Sequence, residues 1–152
     1  MSKNSNLVSI LIVEDEEDHA RLIKRALKES MHLMNDIFWV ENGQQAIDFL
    51  TKNGEYKGQS LQKPGFILLD IKLPMKDGFE VLQDIKSNPE LKKIPVVMLT
   101  TTSTSEDIKK ALSIGANDYI VKPVHFNDFI EKVSKLGYYW GFISDANGGK
   151  DN

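Results

Sequence analysis

Four apolar runs in this chain stop at a polar side chain, and that repetition constrains the fold more than any other feature. Phe66-Ile67-Leu68-Leu69 ends at Asp70, and Val8 to Val13 ends at Glu14 and Asp15. Val96 to Leu99 ends at Thr100, and Tyr119 to Val121 ends at Lys122. A short continuous apolar run reads as a strand buried on both faces, as in parallel sheets. Polar groups at the ends of such strands emerge together at one edge. Carboxylates, a hydroxyl and an ammonium gathered there suit a cation and a phosphoryl group.

Between these runs the apolar period changes to that of a helix. The sequence predicts strand 1 over Ser9 to Val13 and helix 1 from about Asp18 to Ser30, with Ala20, Ile23, Ala26 and Leu27 on one face. Strand 2 is expected over Asp36 to Glu41. Helix 2 follows from Gln44 to Lys52, with Asn42 as its cap and Ala46, Ile47 and Leu50 inward. A polar loop, Asn53 to Pro64, precedes strand 3 at Phe66 to Asp70. Helix 3 covers Gly78 to Ser87 and stops before Pro89. Strand 4 is Val96 to Thr100. Helix 4 starts near Ser105, where Ser103 with Glu106, or Thr104 with Asp107, fits a capping box, and Gly115 ends it. Strand 5 is Asp118 to Val121, and helix 5 is Asn127 to Leu136.

Serial strand–helix units imply a parallel sheet with helices on both faces. Right-handed crossovers leave few topologies. The expected fold is α/β: a five-stranded, parallel, doubly wound, flavodoxin-like sheet in the order 2-1-3-4-5. That order puts strands 1 and 3 at the switch point, where ligands bind beyond the strand carboxyl ends. Glu14, Asp15 and Asp70 then face one crevice.

Bulk properties narrow the function. With 152 residues the chain fits one domain, and 41% hydrophobic residues can build a core. A net charge of −3 gives no electrostatic case for nucleic acid. The absence of cysteine rules out disulfides and thiolate metal sites. The polar N-terminus carries no signal-peptide apolar region, and no run approaches the ~18 apolar residues of a membrane span. A soluble, cytoplasmic chain with no membrane or nucleic-acid partner is expected.

Each site residue also has a plainer reading. Glu14 to Asp18 fits the acidic start of a helix, favoured by its dipole. With Asp70 on the next strand, three converging carboxylates would repel, and a hard cation such as Mg²⁺ relieves this. Asp70 fits a turn residue, yet as a carboxylate it can also attack phosphorus and form an acyl phosphate. Lys122 fits a solvated lysine, or a point charge for Asp70 and then for a phosphoryl oxygen. Thr100 is a good strand residue with a hydroxyl to offer, and Tyr119 packs on helix 4 or sits half outside strand 5. His19, His32 and His125 are scattered and show no ligand spacing.

These pieces together resemble the receiver domain of two-component response regulators. The resemblance rests on Ile10-Leu11-Ile12-Val13-Glu14-Asp15, Leu68-Leu69-Asp70-Ile71-Lys72-Leu73-Pro74, Asp77-Gly78, Pro95 to Thr100, Gly115-Ala116 and Tyr119-Ile120-Val121-Lys122-Pro123. It covers roughly Val8 to Leu136. It implies phosphoryl transfer from a sensor histidine kinase to Asp70, the phosphoacceptor. It implies Mg²⁺ held by Asp15, Asp70 and the backbone carbonyl of Lys72, with Glu14 acting mostly through water. Lys122 and Thr100 would bind the phosphoryl group, Thr100 and Tyr119 would carry the switch, and the Lys122–Pro123 bond would be cis. The long loop from Asn53 to Pro64, Asp84-Ile85-Lys86 and the aromatic tail resemble single-domain regulators paired with bacterial phytochromes. Thr101 departs from the pattern, where a smaller residue is usual, and is expected to narrow access to the site.

The leading expectation is therefore a stand-alone response regulator, not an enzyme beyond its own phosphorylation and autodephosphorylation, signalling to a downstream protein the sequence does not name. An aspartyl-phosphate-type hydrolase would show a D-x-D motif after strand 1, whereas here Asp70 is followed by Ile71-Lys72. An inert flavodoxin-like adaptor is the other alternative, and phospho-labelling separates it. The receiver is expected over residues 7–137, and residues 138–152 form an aromatic extension and a disordered end. Tyr138-Tyr139-Trp140-Gly141-Phe142-Ile143 either folds back on helix 5 or forms a homodimer interface.

Overall fold

A computed structural model describes residues 9–30, 36–59, 63–101 and 105–122, together with Asn127, Asp128, Glu131, Lys132 and Lys135. Five strands form one sheet: β1 Ile10–Val13, β2 Ile37–Val40, β3 Phe66–Asp70, β4 Val96–Thr100 and β5 Asp118–Val121. Their order is β2-β1-β3-β4-β5, and every neighbouring pair is parallel. The helices are α1 Glu17–Ser30, α2 Gly43–Thr51, α3 Gly78–Ser87 and α4 Ser105–Ile114. This is the doubly wound fold expected from the sequence.

The alternation of side chains along each strand divides the core into two layers. Leu11, Val13, Ile67, Leu69, Val96 and Met98 face one side, where they meet Phe49 and Leu50 of α2 and Val81, Leu82 and Ile85 of α3. Ile10, Ile12, Phe66, Leu68, Val97 and Leu99 face the other, where they meet Ile23, Ala26 and Leu27 of α1. Strands β1, β3 and β4 are buried along their whole length. Burying a Val, Leu or Ile side chain stabilises by about 1.5–3 kcal/mol, so these strands hold the sheet's centre fixed.

Local signals explain most boundaries. The Asn42 side chain accepts from the Gln45 N–H at 2.8 Å and starts α2, as expected. Gly115, at φ +129°, ends α4 with its N–H on the Ala111 carbonyl. Strands β1 and β2 are shorter at their ends than expected, and α1 and α2 each begin one residue earlier. Ala46 and Leu50 are buried as expected, Ile47 is half-buried against the same layer, and Phe49 is a further buried residue of α2. The polar loop after α2 carries a 3₁₀ turn, Gly54–Tyr56, and Tyr56 packs edge-on against Phe49 with centroids 5.2 Å apart.

The α3 N-terminus carries a device the sequence reading did not single out. Asp77 accepts from the Glu80 N–H at 2.9 Å, while the Glu80 carboxylate accepts from the Asp77 N–H at 3.0 Å. This reciprocal capping box fixes where the loop after Asp70 ends. Asp77→Ala is expected to lower stability by about 1 kcal/mol, read by urea unfolding.

Some expectations fall outside the described residues: Ser103 and Thr104 as caps, Pro123 and hence the Lys122–Pro123 bond, and residues 138–152 with their fold-back or dimer role. Of the segment expected as helix 5, Asn127, Asp128, Glu131, Lys132 and Lys135 are helical. Among the described residues, no helix is long and apolar enough to cross a membrane.

Candidate functional site

The site lies beyond the carboxyl ends of β1, β3, β4 and β5, at the switch point between β1 and β3. Register places it there. Val13 pairs with Leu69, so Glu14 stands opposite Asp70; Asp70 in turn pairs with Leu99, and Thr100 with Val121. Adjoining strand ends thus present Glu14, Asp70, Thr100 and Lys122 in sequence around one crevice. Backbone bonds lock that order: the Ile71 N–H donates to the Leu99 carbonyl, and the Lys122 N–H to the Thr100 carbonyl at 2.7 Å. The Trp39 indole N–H donates to the Glu14 carbonyl at 2.7 Å and holds the end of β1.

Glu14, Asp15 and Asp70 each offer a carboxylate oxygen, and these oxygens lie within 4.8 Å of one another. Glu14 and Asp70 are buried, whereas Asp15 faces solvent. All the donors are hard oxygens, which fits a divalent cation such as Mg²⁺ or Mn²⁺. The Lys72 N–H donates to Asp70 Oδ1 at 3.3 Å, which turns the chain after β3 around the carboxylate.

The Lys122 ammonium reaches the same centre. Its Nζ is 2.6 Å from Glu14 Oε1 and 3.3 Å from Asp70 Oδ2. The sequence reading paired Lys122 with Asp70 and gave Glu14 a water-mediated part in holding Mg²⁺. In the structure Glu14 is fully buried and is the closer partner. The reason is placement: Glu14 points from the end of β1 into the floor of the crevice, and only an ammonium there compensates a carboxylate without solvent.

Burial pushes the Glu14 carboxyl up from its ordinary range to about 7. The hydrogen bond from Lys122 opposes this, and the charge of Asp70 adds to it. Because the folded-state value lies above the unfolded one, Glu14 favours folding most fully below pH 4.5, and that contribution is lost as pH rises through 7. In chelator-treated protein, Glu14→Gln is therefore expected to gain in melting temperature relative to the parent chain between pH 5 and pH 8. A constant difference across that range counts against a strained Glu14 carboxylate.

Thr100 is buried at the end of β4, with its neighbour Thr101 exposed. Tyr119 is 40% exposed on β5, half in and half out as one reading of the sequence had it. An open cleft of about 560 Å³ runs from Asp15 past Lys72 and Pro74 to Phe79 and Asp107. Lys110 of α4 sits over the ring of Phe79, a cleft residue, at 4.3 Å. One member of the site was missed altogether. His19, on the first turn of α1, has Nδ1 3.3 Å from Lys122 Nζ and 3.8 Å from Glu14 Oε2. The signal was its position, one helical turn past Asp15, since the three histidines share no spacing.

Comparison with known proteins agrees with this geometry. The family model described as "response regulator receiver domain" matches residues 10–134. A probable methanogenesis regulatory protein, FilR2, from Methanothrix harundinacea is 42% identical over 131 residues, covering 86% of this chain and 82% of that protein. Response regulator Rcp1 of Synechocystis is 38% identical over 141 residues, covering 92% and 94%. Among solved structures, the phosphorylated cyanobacterial phytochrome response regulator RcpA superposes with a TM-score of 0.82 at 37% identity, covering 88% of this chain and 94% of that one. The Mn²⁺-bound form of Rcp1 gives 0.81 at 37% identity with the same coverage.

Proposed function

Since the chain belongs to the response regulator receiver family, we propose that Asp70 is its phosphoacceptor and that the strand-end cluster around it is the phosphorylation site. Phosphorylation-mediated signalling is the function of this family, and receiver domains are signalling domains rather than metabolic enzymes. The observation that carries the assignment is the pair of contacts on Asp70. One carboxylate oxygen is held by the Lys72 N–H and the other by the Lys122 ammonium, and an open cleft lined by Asp15, Ile71 and Lys72 adjoins them in the chain.

A carboxylate oxygen of Asp70 attacks the phosphorus of a phosphohistidine. The new P–O bond forms as the P–N bond breaks, and the donor imidazole keeps the electron pair. Lys122 and the Thr100 hydroxyl then pair with phosphoryl oxygens. Asp15, Asp70 and the Lys72 carbonyl would hold Mg²⁺, with Glu14 reaching it through water. A bound cation would offset the charge of the phosphoryl oxygens against the carboxylates. Tyr119, half exposed on β5, would change rotamer and reshape the surface that a partner reads.

The donor we favour is a sensor histidine kinase of the phytochrome-linked kind, supported by the likeness to the phosphorylated cyanobacterial phytochrome response regulator RcpA. Incubation with acetyl phosphate and Mg²⁺ should add one phosphoryl group, stable in acid and labile in base, and peptide mapping should place it on Asp70. Label on another residue, or none, overturns the assignment. Asp15→Ala should lose both the label and the Mg²⁺-dependent change in fluorescence of Trp39, whose indole is tied to the Glu14 carbonyl. An unchanged Mg²⁺ titration in that variant would misplace the metal.

A further inference from the structure

We propose that His19 is a positioning residue: its Nδ1 lone pair tethers the Lys122 ammonium in the resting site and competes with the phosphoryl group for it. This rests on the reading of Asp70 and Lys122 given above.

The argument begins with valence. A lysine ammonium has three N–H donors and no acceptor. Lys122 Nζ has three acceptors at hand: Glu14 Oε1 at 2.6 Å, Asp70 Oδ2 at 3.3 Å and His19 Nδ1 at 3.3 Å. The side chain is 8% exposed, so these groups rather than bulk water satisfy it. Since Lys122 can only donate, Nδ1 must accept, and the ring proton belongs on Nε2. Nε2 lies 3.4 Å from Glu16 Oε1, where the carboxylate's charge favours a proton on that nitrogen. Glu16 is in turn held near the site by its own N–H, which donates to Glu14 Oε2 at 3.2 Å. With Glu16 near one ring nitrogen and Lys122 near the other, the ring lies with Nδ1 toward the ammonium.

The three acceptors are not equal. Glu14 and Asp70 carry charge, and hydrogen bonds to charged acceptors are stronger than those to neutral ones. His19 is the neutral partner, and it draws Lys122 toward the α1 side of the crevice. When Asp70 becomes an acyl phosphate it loses its carboxylate charge, the N–H that met Oδ2 passes to a phosphoryl oxygen, and drawing Nζ toward that anion stretches the contact with the neutral His19. A contact present in the resting state and absent in the loaded state biases the equilibrium toward rest by the strength of that contact.

The isosteric pair His19→Leu and His19→Asn tests this. Leucine places a methyl where Nδ1 stands, and asparagine places an acceptor oxygen there. Beryllofluoride with Mg²⁺ serves as the phosphoryl mimic, with affinity read by Trp39 fluorescence. His19→Leu is expected to bind it about fivefold more tightly than the parent chain, the worth of one modest hydrogen bond, while His19→Asn stays near the parent. Equal affinity in all three chains, or the same gain in both variants, overturns the tether.

A second readout needs no phosphoryl mimic. The imidazole ¹⁵N spectrum of the neutral ring should show the Nε2–H tautomer, with an Nδ1 resonance that shifts in Lys122→Met. An Nδ1–H tautomer, or an Nδ1 resonance indifferent to Lys122→Met, also overturns it. If beryllofluoride fails to bind the parent chain, the Asp70 assignment is at fault, and the imidazole spectrum still decides the tether.

Discussion

Asp70→Asn is expected to take up no phosphoryl group from acetyl phosphate or a phosphorylated kinase, while folding as well as the parent chain. Asparagine keeps the shape of the side chain and an oxygen for the Lys72 N–H, 3.3 Å away in the parent. It removes the nucleophilic carboxylate, and an amide oxygen does not form an acyl phosphate. Stability should hold or rise, because Glu14, Asp15 and Asp70 crowd three carboxylates around one ammonium and the substitution deletes a like charge. Glu14, the closer partner of Lys122, stays in place to compensate it. Labelling falls to the background of a donor-free control, with a thermal transition at or above that of the parent. Undiminished labelling with the same fold would remove Asp70 from its role.

Why so much of this was legible is clearest at the strand ends. An apolar run that stops at a charged residue states two facts at once: the strand is buried, and its end opens on solvent or ligand. Asp70, Thr100 and Lys122 each follow such a run, and the 2-1-3-4-5 order brings them together by register alone. Less legible was which partner Lys122 would choose. Glu14 and Asp15 are adjacent in sequence, yet one is fully buried and the other faces solvent. That difference arises from the turn between β1 and α1, where the Glu16 N–H and the Trp39 indole hold Glu14 inward. Trp39 comes from β2, and no local pattern announces its bond to Glu14. His19 escaped for the same reason, since it joins the site through the packing of α1 on the sheet. The Asp77–Glu80 capping box lay in plain spacing, but Asp77-Gly78 entered only as a piece of the family resemblance.

The second large effect concerns Gly78. A methyl group there would lie 2.2 Å from the Asp70 carbonyl oxygen, 2.7 Å from the Ile71 Cα and 2.9 Å from the Ile71 carbonyl oxygen. All three are backbone atoms, so no flexible side chain can yield. The crowding follows from how the loop is closed. The Gly78 N–H donates to the Ile71 carbonyl at 2.9 Å, pulling the start of α3 onto the residues just after the phosphoacceptor. Helix propensity alone predicts the opposite sign, because alanine in a helix is favoured over glycine by up to about 1 kcal/mol. Overpacking against fixed backbone costs about 1–3 kcal/mol, occasionally more, and wins here. Gly43 makes the matching contact from α2, where a methyl would meet the Lys76 carbonyl oxygen and carbon. The two glycines thus grip the loop after β3 from both sides. Gly78→Ala should lower the urea midpoint by the equivalent of about 2–3 kcal/mol and slow labelling of Asp70 in the fraction that stays folded. The second effect marks the displacement as local to the site, since moving Asp70 and Ile71 also moves the Lys72 N–H that orients the carboxylate. A stability equal to or above that of the parent would show that the loop yields, and with it that Asp70 is held less rigidly than these contacts require.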